Sequence, residues 1–120
     1  MTLFETLLMG HILGDWIFQT EWQATNKSSN WRAMLVHVAV YHVIMLGFLV
    51  MWAGPGDWRI YIAVLLLAIT HAILDRRQSV HGLMRLLRIT VNRPPEKWLA
   101  IPIDQAVHLL LLGLTAFLLA

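Results

Sequence analysis

The chain alternates long apolar stretches with short polar joints. Four apolar stretches stand out, at residues 3–18, 33–52, 58–74 and 98–120. A helix that crosses the hydrocarbon of a bilayer needs ~20 apolar residues, within a range of ~17–25. The second and fourth stretches meet that length, and the third lies at its lower edge. The first is short and carries Glu5, His11 and Asp15, so it is expected to span at a strong tilt or to re-enter. It lacks a basic start and an A-x-A-like site, which sets it apart from a cleavable signal peptide. The joints are a polar loop at 19–30 (QTEWQATNKSSN), a Gly/Pro turn at 53–57 and a Pro-Pro break at 92–97. The pattern predicts an all-α membrane protein, a single domain over 1–120, with four short transmembrane helices of which the first is spanning or re-entrant.

Composition agrees with the pattern. The chain is 58% hydrophobic and 13% charged, against ~45–50% and ~25% in ordinary soluble domains. A soluble chain of 120 residues could not hide that much apolar surface, because small domains bury the smallest fraction of theirs. Cysteine is absent, which removes disulfides and thiolate ligands from consideration. The net charge of +2 matters less than where it sits. Lys27 and Arg32 lie in the first loop, and Arg76, Arg77, Arg85, Arg88, Arg93 and Lys97 lie in the third. Arg59 alone lies elsewhere. The positive-inside rule then places loops one and three in the cytoplasm and both termini outside, the N-terminus changing side if the first segment re-enters.

Within the third loop, Arg77, His81, Arg85 and Arg88 recur at steps of four, four and three, and Leu83, Leu86, Leu87 and Val91 fill the remaining positions. The spacing predicts a basic amphipathic helix lying in the membrane interface and drawing anionic lipid. Arg76, Arg77, Arg85, Arg88 and Lys27 are the candidate contacts to anionic groups. No aromatic platform accompanies these arginines, so nucleic acid is not an expected partner.

The chemistry lies in the polar residues inside the apolar stretches. In the expected topology Asp15, His37, His71, Asp75 and Asp104 all fall within ~10 Å of the cytoplasmic boundary, with His11 and His108 somewhat deeper. Three His/Asp pairs are four residues apart: His11/Asp15, His71/Asp75 and Asp104/His108. On a helix such residues share a face, with β-carbons ~5–6 Å apart. The spans hold no Lys or Arg to offset these aspartates, and charge at depth is costly unless compensated. Imidazole with carboxylate is the ligand set of zinc, and also of manganese or non-haem iron. His11, Asp15, His37, His71, Asp75, Asp104 and His108 are therefore candidate metal ligands. One tetrahedral ion needs about four, so either two ions bind or some candidates orient the others. His42, five residues from His37, falls on a different face and reads as an interhelical hydrogen-bonding residue. His81 reads as a solvated loop residue.

The run from His11 to Lys27, HILGDWIFQTEWQATNK, resembles the opening signature H-L-L-G-D-F-x-x-Q-T-D-x-x-A-x-x-K of small bacterial and phage membrane proteins. These are grouped as domain of unknown function 3307. Trp16 stands where Phe is usual and Glu21 where Asp is usual. His37, His71 with Asp75, and Asp104-Gln105 with His108 fit the later part of that pattern. The resemblance implies a bacterial inner-membrane protein. It also implies a shared polar core of His11, Gly14, Asp15, Gln19, Lys27, His37, His71, Asp75, Asp104, Gln105 and His108. Gly14 then permits close helix approach beside Asp15. Gln19 is placed one further turn along, to hydrogen bond a carboxylate, and Gln105 to bond between helices. Lys27 caps the cluster or meets an anionic substrate.

The expected function is a metal-dependent hydrolase acting on an amphiphilic or phosphate-bearing substrate at the cytoplasmic leaflet. Its cofactor is a divalent metal, with Asp15, Asp104, Gln19 and Lys27 as catalytic candidates. Two rivals remain. An ion or proton transporter needs a path through the outer halves of helices two and four, which are apolar unless a homo-oligomer encloses a pore. A non-catalytic phage or bacterial membrane scaffold needs no site at all.

Overall fold

A computed structural model describes residues 1–87 and 96–120, with the side chains of Arg77, Gln78 and residues 96–98 left out of the description. The described residues are all helical. Helix α1 (Leu3–Ile12) begins at a capping box in which the Thr2 hydroxyl accepts from the Glu5 amide and Glu5 accepts from the Thr2 amide. Both orphan donors at the helix start are thereby satisfied. The helix then widens into a π turn over Leu13–Ile17, closed by a 2.8 Å bond from the Phe18 amide to the Leu13 carbonyl. Beyond it the polar joint is not all loop. It contains a short helix α2 (Glu21–Asn26), capped by Thr20 and Gln23 in a second reciprocal box.

Asn30 caps α3 (Trp31–Ala53), and Gly54, at φ 82°, ends it. This is left-handed backbone that glycine adopts without a steric penalty. Asp57 caps α4 (Trp58–Leu74). Helix α5 (Arg77–Leu86) forms part of the basic amphipathic stretch, burying Val80 and Met84 and exposing Arg85 and Leu86. Helix α6 (Glu96–Leu119) carries Pro102 inside it. Arg88, expected on the basic face of α5, lies outside the described residues, as does the side chain of Arg77.

Among the described residues two helices are long and apolar enough to cross a membrane, at Trp31–Ala53 and Leu99–Leu119. Helix α4 qualifies only together with Ser79–Leu86 across a 77° bend, which makes a third. The reason α1 falls short is its length: 10 residues before the π turn rise only ~15 Å.

Helix α3 packs between α1 and α4, and α6 closes the bundle against α1, α4 and α5. The core consists of Leu3, Leu7, Tyr41, Met45, Leu49, Ile60, Leu67 and Leu112. Outside it, Val43, Met51, Leu65, Leu66, Leu110, Leu114, Phe117 and Leu118 are exposed. That is more apolar surface than a small water-soluble monomer carries. Where α1 crosses α3 the backbones are close. A β-carbon on Gly14 would stand 2.8 Å from the Tyr41 ring, so only glycine fits there.

Candidate metal centre

One end of the bundle gathers a buried polar cluster from most of its helices. The π turn delivers Asp15, the segment after α2 delivers Lys27, the first turns of α3 deliver His37, and the end of α4 delivers His71 and Asp75. Helix α6 adds Asp104, Gln105 and His108. His37, His71, Asp15, Asp75 and His108 are all buried.

The centre of the cluster is the His37 Nε2 atom. It lies 3.2 Å from His71 Nε2, 3.2 Å from Asp15 Oδ1, 3.3 Å from Asp75 Oδ2 and 3.3 Å from Lys27 Nζ. His71 Nε2 in turn is 3.2 Å from Asp75 Oδ2. An imidazole nitrogen donates or accepts a single hydrogen bond, so four polar neighbours exceed what His37 Nε2 can satisfy. A tetrahedral ion bound at ~2.0–2.1 Å separates its ligand atoms by roughly 3.3 Å. Four ligand–ligand separations among His37, His71, Asp15 and Asp75 match that spacing. The cluster can hold a metal ion, with all four ligand atoms within 4.8 Å of one another.

Charge points the same way. Asp15 and Asp75 bring two carboxylates into the interior, and Lys27 brings one ammonium. It sits 2.7 Å from Asp75 Oδ2 and 3.3 Å from Asp15 Oδ1. Burial alone would lower the Lys27 pKa, but these two carboxylates outweigh it and hold the pKa above the ordinary lysine value. Lys27 alone leaves one negative charge over, which either a bound cation or a proton on His37, 3.2–3.3 Å from both carboxylates, would match. Neither oxygen of Asp75 receives a well-directed hydrogen bond, although four nitrogens stand between 2.7 and 3.5 Å from them. One of the four is the Lys27 ammonium, a cation at 2.7 Å; the three imidazole nitrogens do not aim at the carboxylate, and a bound ion would give them a common partner.

A second ring of residues holds the first in place. Gln105 donates from Nε2 to Asp15 Oδ2 at 3.0 Å, and its Oε1 lies 3.0 Å from His11 Nε2 and 3.3 Å from Trp16 Nε1. The carboxylate requires the amide nitrogen on its side, so the oxygen faces His11. His11 therefore donates from Nε2, and its Nδ1 accepts from the Tyr41 hydroxyl at 2.8 Å. With both ring nitrogens engaged, His11 stands outside the ligand groups and positions Gln105 and Tyr41.

Gln19 donates to the backbone carbonyl of Asp15 at 2.8 Å, not to a carboxylate as expected. His42 donates from Nδ1 to the Val38 carbonyl of its own helix at 2.8 Å, not across helices. Tyr41, which sequence reasoning missed, packs edge-on against His71 at 4.2 Å. It lies four residues after His37, on the same face of α3, and that spacing was the available signal.

A cavity of about 520 Å³ opens beside the cluster, lined on its polar side by Lys27, Ser28, Asp75, His81 and Asp104. Leu74, Val80, Ala100 and Ile101 line the rest. His81, expected on the surface, thus forms part of a cavity wall. Arg76 stacks on the Trp31 ring at 4.4 Å, where a guanidinium gains from the aromatic face.

The fold and site define a small all-helical bundle with a buried histidine–aspartate–lysine centre at one end. The chain belongs to the family described as Protein of unknown function (DUF3307), which matches residues 3–119 and so takes in every residue of the centre. No curated protein and no solved structure matches the chain.

Proposed function

We propose that this protein is a metal-dependent hydrolase embedded in the bacterial inner membrane, acting on an amphiphilic, phosphate-bearing substrate from the cytoplasmic leaflet. The observation that carries the metal is the 3.2–3.3 Å spacing of the His37, His71, Asp15 and Asp75 ligand atoms. Two imidazoles and two carboxylates favour zinc, with manganese or iron as competitors.

Membrane embedding is supported by the exposed apolar faces and by tryptophans at both ends of α3. Trp31 is 60% and Trp52 39% exposed, and the helix rises ~32 Å from one to the other, about one hydrocarbon thickness. In this reading α3, α4 and α6 span, α1 with its π turn enters part way, and α5 lies in the interface. The basic loops face the cytoplasm and the C-terminus lies outside.

An ion held by all four residues has no open position, so activating a water toward a pKa of ~7 would require one carboxylate, such as that of Asp75, to give up its place. The chain's own groups do the rest. Lys27 offers its ammonium to an anionic head group in the cavity, while Leu74, Val80, Ala100 and Ile101 take an apolar tail. His81 lines the same wall. Away from the cavity, Leu7, Met45, Leu49 and Ile60 are fully buried and apolar. They make a dry plug that weighs against transport.

One contact favours a second reading. Lys27 Nζ at 2.7 Å from Asp75 Oδ2 is a cation already in place, and the cluster then acts as a metal-independent ion-pair network or relay. Metal analysis of the full chain, purified in detergent without chelator, separates the two readings. We expect bound zinc, lost in His71→Ala and Asp15→Asn and kept in His42→Ala. Lys27→Met should lose ~3–5 kcal/mol of stability without metal, the cost of unpairing a buried ion pair, and recover most of it with zinc. Metal-free native protein, with a Lys27→Met variant that zinc does not rescue, would establish the second reading.

A further inference from the structure

We infer that the centre holds a second divalent cation, in an outer subsite formed by Asp75, Asp104 and His108, with Asp75 as the carboxylate shared between the two ions. The inference rests on the metal reading above and extends it to a paired centre. Each of these three residues offers a ligand atom within 4.8 Å of the others. The unpartnered buried atoms of the group are both Asp75 oxygens, Asp104 Oδ1 and His108 Nε2. The Asp75 side chain is 0% and the His108 side chain 4% exposed, so water does not reach them freely.

The histidine tautomer sharpens the point. His108 Nδ1 lies 2.8 Å from the Asp104 carbonyl oxygen, which only an N–H can satisfy. In the neutral ring Nε2 is then a bare lone pair, and it faces Asp75 Oδ1 at 3.5 Å. Two acceptors aimed at one another require a cation or a proton between them. A ring fixed through one nitrogen by a backbone carbonyl, with the other turned into a carboxylate group, is also how metal-binding histidines are held.

Asp75 faces both ways. Its Oδ2 lies against His37, His71 and Lys27, and its Oδ1 against His108. Asp75 and Asp104 line the cavity, whereas Asp15, His37 and His71 do not. The inner group is therefore enclosed by protein, and the outer group reaches the cavity through the Asp104 side chain, 20% exposed. Two carboxylates and one imidazole, with room for water, suit manganese or zinc. With the inner ion enclosed, the outer ion alone would polarise a phosphoryl oxygen, and the inner one would offset the charge of Asp15 and Asp75. That narrows the substrate class to phosphate esters or anhydrides bearing an apolar tail.

The test is titration of chelator-stripped full-length protein in detergent with manganese, read by elemental analysis and by electron paramagnetic resonance. The expected result is two manganese ions per chain with a spin-coupled spectrum. Asp104→Asn, nearly isosteric and at a side chain 20% exposed, should keep one ion and give a single-ion spectrum. His108→Ala should do the same, and circular dichroism should show both variants folded. One ion in the native protein, unaffected by Asp104→Asn and lost in His71→Ala, would overturn the outer subsite and leave the inner one standing. No ion in the native protein would overturn both.

Discussion

Gly14 shows how much of the centre depends on one missing side chain. Its α-carbon lies against Tyr41, so α1 can approach α3 closely enough for Asp15 to reach His37 at 3.2 Å. Gly14→Ala puts a β-carbon 2.8 Å from the Tyr41 ring. Overpacking of this kind costs ~1–3 kcal/mol, and here it also separates the ligands. We expect a lower melting temperature in detergent and weaker metal retention. Gly82→Ala, with nothing within 4 Å of the added carbon, should change neither.

Much of this was legible at residue level, because His and Asp four apart on apolar helices have few roles other than to face a common partner. Gln105 bonds between helices as expected, but its particular partners, and every contact of Tyr41, were not legible. Both depend on how α6 and α1 are rotated about their axes, and a 3.6-residue period does not encode that rotation between helices.

At the scale of the elements, the long apolar helices α3 and α6 follow directly from the hydropathy pattern, and the Gly54 turn follows from its glycine. The π turn did not show in the sequence. It forms where the close approach of Gly14 to Tyr41 outweighs the regular α-helical ladder, and a tertiary contact of that kind leaves no local signature. Helix α2 could have been found: Thr20-x-x-Gln23 is a capping-box pattern inside a stretch read as loop.

The elements also carry the topology. Ser28 lies beside the cavity, and Gly56 lies in the turn between α3 and α4, at the opposite end of α3. With loops one and three cytoplasmic, Ser28→Cys should react with a membrane-impermeant maleimide only from the cytoplasmic side, and Gly56→Cys only from outside. Labelling of Gly56→Cys from the cytoplasm would invert the orientation and remove the cytoplasmic leaflet as the source of substrate.

At the scale of the whole molecule, the walls of the bundle differ in height. Helix α3 has 23 residues and α4 has 17, which is ~35 Å against ~26 Å at a rise of ~1.5 Å per residue. A typical hydrocarbon layer is ~30 Å thick. In the proposed arrangement, with α3 and α4 both spanning, lipid beside the short wall would compress and head groups there would sink toward the level of Asp75 and Lys27. Hydrophobic mismatch of this kind costs a fraction of a kcal/mol per Å; in a thinner bilayer the cost at α4 falls, while the longer α3 accommodates by tilting. Reconstituted protein should thus melt at a higher temperature in dimyristoyl than in dioleoyl phosphatidylcholine, and equal melting temperatures would mean that lipid does not sense the short wall. Under the proposed embedding, the dent beside the 17-residue helix would also serve as a delivery route, bringing a lipid's polar head down to the centre without the lipid leaving its leaflet.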